Sequence, residues 1–193
     1  MLAGPLKNKH YKNEKTIAFL TRTFKNRKKF KKGVILMQLK GIFFDLGDTL
    51  IDEHTFQPLD GTKEVLEKFK GRFKLAIISN TNVSSTEDIE WILEKLNLLH
   101  FFDYVIASKS FGTKKPDVSI FNFVLETLSL KPEEVVFVGN KISTDVLGAN
   151  KTGMKSILLK WNSRHLEEPS SPEEEPDFVI KSFKELFKIV ENL

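Results

Sequence analysis

From residue 38 onward, short apolar runs alternate with longer stretches in which apolar residues recur at helical spacing. Residues 42–45, 74–79, 104–108, 135–139 and 156–159 are rich in Val, Ile, Leu and Phe, the pattern of strands buried on both faces. Between them, residues 62–70 read as a helix. Residues 88–98 place Ile89, Ile92, Leu93 and Leu96 at i, i+3, i+4 and i+7, one apolar stripe that faces a sheet. Pro116 is expected as the first residue of a helix that buries Ile120, Phe121, Val124 and Leu128. Residues 143–152 read as a short helix closed by Gly153, and residues 167–176, rich in Pro, Ser and Glu, as a loop. A last strand over 178–180 and a helix from Phe183 close the chain. Strands alternating with helices predict an α/β fold: a doubly wound parallel sheet in three α/β/α layers, within a single domain.

Length and charge refine this picture. A chain of 193 residues with 40% hydrophobic content buries one sizeable core. It has no cysteine, so disulfides and thiolate metal sites are excluded. No apolar run approaches the roughly 18 residues of a membrane helix, so the expectation is a cytoplasmic chain with no membrane contact. The charge is uneven. Residues 1–36 hold eleven Lys/Arg against the single acid Glu14, which leaves 19 basic and 25 acidic residues in the remainder. The arm divides the chain into a basic extension, 1–36, and a main domain, 37–193. Three readings of the arm stand side by side. It binds nucleic acid or an anionic surface, the one place where a nucleic-acid partner is expected. It is a solvated tail. Or translation starts at Met37, which opens a natural first strand, the codons for residues 32–35 being able to spell a purine-rich ribosome-binding sequence just upstream.

Open parallel sheets carry their active sites beyond the carboxyl ends of the strands. The polar residues at those ends are Asp45 and Asp48 after the first strand, and Ser79 and Asn80 after the second. Lys115 lies ahead of the helix that follows the third, and Asn140 and Asp145 follow the fourth. Singly, each has a plainer reading: an Asp or Ser-Asn at a strand end caps a turn or helix, and a Lys before Pro sits in solvent. Their order along one chain is what points to chemistry. Other candidates are weaker. His10, His54, His100 and His165 lie far apart without zinc-ligand spacing, His54 alone being placed to lean over the site. Trp161 reads as edge packing or as a substrate contact, and the 17 Phe as core filling.

The segments Phe44-Asp45-Leu46-Gly47-Asp48-Thr49-Leu50, Ile77-Ile78-Ser79-Asn80, Lys115-Pro116-Asp117 and Val138-Gly139-Asn140 through Asp145 to Gly153-Met154 resemble the four ordered motifs of the haloacid dehalogenase-like superfamily. The resemblance spans residues 38–182 and implies a Rossmann-like hydrolase. By it, Asp45 is a nucleophile that receives a phosphoryl group, and the aspartyl phosphate is then cleaved by water. Ser79, Asn80 and Lys115 bind the phosphate. Asp45, the Gly47 carbonyl, Asn140 and Asp145 hold Mg²⁺. Independently of the name, a carboxylate attacks an anionic phosphorus centre only where a hard cation and an ammonium offset the repulsion.

Two positions depart from the pattern. Where the family's phosphatases place a second aspartate as general acid and base, this chain has Gly47. Asp48 either reaches the leaving group through a distorted turn or serves the structure. Asn140 stands where an aspartate is usual. Two alternatives to a Mg²⁺-dependent phosphatase therefore remain: a dehalogenase-type hydrolase that attacks carbon, and a binding module with weakened catalysis. Only 33 residues separate Asp45 from Ser79, too few for an inserted cap domain, so the site is expected to be capless. An open site takes a phosphorylated macromolecule, or a small molecule under a lid supplied by a partner or a second copy.

Overall fold

A computed structural model describes residues 38–162, 164 and 167–193. The readings of the 1–36 arm and of Met37, and of His10 and His165, lie outside the described residues. The chain from residue 38 forms strands β1 (Gly41–Phe44), β2 (Lys74–Ser79), β3 (Tyr104–Ala107), β4 (Val135–Gly139), β5 (Lys155–Leu159) and β6 (Phe178–Ile180). Every pairing is parallel, in the order β3-β2-β1-β4-β5-β6. The helices are α1 (Thr62–Phe69), α2 (Thr86–Lys95), α3 (Ser108–Phe111), α4 (Val118–Thr127), α5 (Leu147–Thr152) and α6 (Phe183–Val190).

The period of two along each strand sorts side chains to opposite faces. Ile42, Phe44, Leu75, Ile77, Val136 and Val138 pack with Val65, Leu66 and Phe69 of α1, Ile89 and Leu93 of α2, and Phe183 and Leu186 of α6. Phe43, Ala76, Ile78 and Phe137 pack with Ile120, Phe121 and Val124 of α4 and Ala149 of α5. The three-layer, doubly wound α/β fold expected from the alternation is thus the fold observed. Each fully buried Phe or Ile in these layers contributes about 1.5–3 kcal/mol through removal of apolar surface from water. Among the described residues, no helix is long and apolar enough to cross a membrane.

Chain order reverses between β1 and β4: the path runs outward from β1 through β2 and β3, then returns to β4 on the other side of β1. Phe44 pairs with both Ile77 and Val138, and Ser79 with Ala107, so the first residues after these strands emerge side by side in a crevice. Between β1 and β2 the only helix is α1, preceded by a loop over residues 45–61. No domain is inserted there.

Three local expectations change. α4 does not start at Pro116: the helix opens at Val118, with Asp117 as its cap, because the Asp117 carboxylate accepts the Ser119 N–H at 2.8 Å. α2 starts at Thr86, earlier than its apolar stripe implied. Ser85 and Asp88 form a reciprocal capping box at 2.7 and 3.2 Å that extends the helix toward its amino end. The segment 143–152 is not one helix but a π-helical turn, Ile142–Val146, running into α5, which Gly153 closes at φ 90°.

Candidate active site

The sheet delivers the motif residues to a single pocket of about 390 Å³, lined among others by Asp45, Gly47, Ser79, Asn80, Lys115 and Asp145. Asp45 follows β1 directly, its N–H donating to the Val138 carbonyl at 2.9 Å. Its Oδ1 accepts the Lys115 ammonium at 2.7 Å and its Oδ2 the Thr49 hydroxyl at 3.2 Å. Lys115 arrives from the loop ahead of α4, only 1% exposed, and its Nζ also lies 2.7 Å from Asp145 Oδ1. Asn80, expected as a phosphate contact, engages the Lys115 backbone at both ends of its amide, donating to its carbonyl and accepting its N–H at 2.9 Å each. That clamp positions Lys115; Ser79 is on the pocket lining.

Asp145 sits in the π-helical turn, where its Oδ2 accepts the N–H groups of Asn140 and Lys141 at 3.1 and 3.0 Å. These are donors that a helix start leaves without intrahelical partners. The fold-back depends on Gly139: a Cβ there would lie 2.5 Å from the Asp145 carboxyl. Asn140 is buried beside the pocket, its Oδ1 accepting Thr49 Oγ1 at 3.4 Å and its Nδ2 without a hydrogen-bond partner.

Burial works against every charge at this floor. For Lys115 it would weaken the ammonium, but the facing carboxylates of Asp145 and Asp45 outweigh it, and its pKa lies above the ordinary lysine value. For Asp45, burial, joined by the nearby Asp145 charge, prevails over the pull of Lys115, and its pKa is raised. Two carboxylates share one ammonium, so the floor carries excess negative charge.

Asp48 is bound into the loop after β1. It is fully buried at φ 54°, and its Oδ1 accepts the Glu53 N–H at 3.2 Å and the Arg164 guanidinium at 2.8 Å. Asp48 does not line the pocket. The same guanidinium reaches Asp52 at 2.8 Å, and the Trp161 indole N–H donates to the Asp48 carbonyl at 2.7 Å. Trp161 packs against the core, so of its two readings the packing role is the one observed. Together Asp48, Asp52, Trp161 and Arg164 brace the loop after β1. His54 lies exposed on that loop and off the pocket lining; Glu53 and Phe56, which sequence reasoning passed over, line it instead. Val83, Ile89 and Ile92 complete an apolar wall, and Lys141 adds a cation.

Comparisons with known proteins agree with this architecture. A family model for haloacid dehalogenase-like hydrolases matches residues 7–159. Glyceraldehyde 3-phosphate phosphatase from Methanopyrus kandleri is 35% identical over 122 residues, 63% of this chain and 51% of that protein. Phosphoglycolate phosphatase from Vibrio cholerae is 32% identical over 126 residues, 65% of this chain and 53% of that protein. The chain spans about half the length of the curated relatives it matches. A crystal structure of an uncharacterized protein from Listeria monocytogenes serotype 4b superposes with a TM-score of 0.69 at 32% identity, covering 80% of this chain and 100% of that one. With more than half of its length matched by the family model and the four motifs gathered at one crevice, the chain belongs to the haloacid dehalogenase-like hydrolase family.

Proposed function

We propose that the chain is a Mg²⁺-dependent phosphohydrolase that cleaves phosphate monoesters through an aspartyl phosphate on Asp45. One observation carries the reading: the Asp45 carboxylate meets, in a single pocket, a buried ammonium held 2.7 Å from both Asp45 and Asp145. An anionic nucleophile approaching an anionic phosphoryl group needs this fixed positive charge, aimed where charge accumulates during transfer. The phosphatase names of the relatives support the same chemistry.

The residues fit a magnesium ion. Among the described residues, no three His, Cys, Asp or Glu side chains form a metal cluster. The oxygen set is Asp45, Asp145, the Gly47 carbonyl and the Asn140 amide, sparse enough for an ion that keeps several waters. Thr49 serves either end of the Asn140 amide as hydrogen-bond partner, so turning over that half-satisfied amide leaves its oxygen for a cation. Excess negative charge at the floor argues the same way. When bound, the ion neutralises charge on the phosphoryl oxygens.

In the first step an Asp45 oxygen bonds to phosphorus as the ester P–O bond breaks. Lys115 holds the carboxylate and the transferred group, and Ser79 donates to a phosphoryl oxygen. In the second, water attacks phosphorus and releases Asp45. The pocket opens between loops and, among the described residues, no domain is inserted between β1 and β2 to cover it, so a phosphorylated small molecule under a lid supplied by a partner or second copy fits, as does a macromolecular ester. A cytoplasmic setting suits an enzyme without cysteine.

The test is phosphate release from an activated aryl phosphate by the full chain, with Mg²⁺, with EDTA, and by Asp45→Asn. Turnover that needs both the metal and Asp45 is expected. Silence in every divalent metal, with the fold intact, would redirect attention to attack on carbon or to a binding module.

A further inference from the structure

Cleaving an ester of an ordinary alcohol leaves an alkoxide that must take up a proton, and hydrolysing the acyl phosphate requires water to lose one. The ionisable side chains on the pocket lining are Asp45, Glu53, Lys115, Lys141 and Asp145. Asp45 is the nucleophile. Lys115 is clasped by two carboxylates, and Asp145 is bound to Lys115 and to two backbone N–H groups. Lys141 contributes a cation from the β4 side. Glu53 is the pocket's one carboxylate that enters no ion pair with another described residue.

Its position is specific. A Cβ built on Gly47 would lie 3.6 Å from Glu53 Oε2 and 3.7 Å from Glu53 Cβ, and no other heavy atom comes within 4 Å beyond the chain neighbours. The Glu53 carboxylate therefore occupies the space that a side chain at position 47 would fill. The loop that carries it is held from both sides. Asp48 accepts the Glu53 N–H, Asp52 accepts the N–H groups of His54 and Thr55 at 2.9 Å each, and Arg164 ties Asp48 to Asp52.

We propose that Glu53 is the general acid and base of the site, its carboxyl reaching in from the loop after β1 to the place left open by Gly47. The inference rests on the phosphohydrolase reading. As the Asp45 oxygen bonds to phosphorus and the ester bond breaks, the carboxylic acid of Glu53 gives its proton to the departing oxygen, which leaves as an alcohol. As a water oxygen then bonds to phosphorus and the Asp45–phosphorus bond breaks, the Glu53 carboxylate takes the proton that water loses. Inorganic phosphate departs with both carboxyl groups restored. Glu53 thus touches the leaving group and the attacking water, and through them sets which esters are cleaved fast.

Two esters test this with the full chain and Mg²⁺: an alkyl phosphate, whose leaving group needs a proton, and nitrophenyl phosphate, whose leaving group does not. Glu53→Gln should lose about 10²- to 10⁴-fold in turnover of the alkyl ester. On nitrophenyl phosphate it should release one nitrophenolate per chain in a burst, then slow, with the phosphorylated chain accumulating by intact mass. Combining Gly47→Asp with Glu53→Ala should restore alkyl-ester turnover, because the backbone at 47 is outside the left-handed region and truncating the side chain at 53 vacates the space. Glu53→Gln at the parent rate, an equal loss on both esters without a burst, or no recovery in the folded double variant would each overturn the assignment, while Asp45-dependent release by the parent leaves the phosphohydrolase reading standing. No Asp45-dependent release by the parent would overturn both.

Discussion

The floor and the rim of the pocket are built on opposite principles. At the floor, Asp45, Lys115 and Asp145 are almost sealed from water; the Asn80 side-chain amide further locks the backbone of Lys115, and the N–H groups of Asn140 and Lys141 lock the Asp145 carboxylate. At the rim, Phe56 is 54% and Val83 78% exposed, and Glu53 is exposed on the same loop as Phe56. The floor is an electrostatic device whose parts are worthless singly. The rim is a set of side chains on braced loops, each replaceable without disturbing the sheet. On the proposed reading, charge handling belongs to the first region, proton handling and substrate choice to the second.

The largest effect expected from this contrast is at Lys115. Lys115→Met removes the ammonium and leaves Asp45 and Asp145 facing each other in a dry site. Breaking a buried ion pair by deleting one partner costs about 3–5 kcal/mol. Urea unfolding should show a loss of that size, and phosphate release should vanish. A variant as stable as the parent would mean the floor is open to water and the comparison fails.

The same contrast explains what was legible in the sequence. Asp45, Ser79, Lys115 and Asp145 could be placed because each follows or faces the end of a buried strand, and such strands declare themselves by continuous Val, Ile and Phe. The rim has no such period. Residues 52–58 form a turn whose side-chain directions depend on Phe56 at φ 55° and on bonds to Arg164, distant in sequence. His54 was the residue singled out there on type alone, while the backbone turns Glu53 and Phe56 toward the pocket. Asn80 could be located at the strand end, but its clamp on the backbone of Lys115 could not be foreseen, since that backbone is distant in sequence. Pro116 misled because proline suits a first helical position, whereas the Asp117 carboxylate decides where α4 begins.

A smaller effect is expected where the two regions are tied together. Arg164→Ala removes the guanidinium from Asp48 and Asp52, and should lower the unfolding midpoint by less than Lys115→Met does, while reducing turnover as the Glu53 loop loosens. The Asp52 carboxyl is held well below its ordinary pKa by the Thr55 N–H first and by Arg164 second. A depressed folded pKa stabilises fully above the unfolded value near pH 3.9 and is lost as pH falls further. The gap in stability between parent and Arg164→Ala should therefore be constant through neutral pH and narrow below about pH 3.9. A gap that persisted in acid would assign the brace to packing on Trp161, over which the guanidinium lies at 5.5 Å, instead of to charge.

The smallest effect belongs to the rim alone. Phe56 holds a left-handed backbone that disfavours bulky side chains, and more than half of it is in solvent. Phe56→Gly relieves that conformation, gives up some apolar contact and adds freedom to the unfolded chain. The terms oppose one another, and as a surface change the net should stay within about 0.5 kcal/mol. Its catalytic signature should differ from that of Glu53→Gln. Losing an apolar wall that touches the substrate body equally in ground and transition states raises KM and leaves kcat unchanged. If kcat fell instead, with the loss greatest for alkyl esters, Phe56 would be acting through the placement of Glu53, and the rim would be one catalytic unit rather than a wall beside a proton carrier.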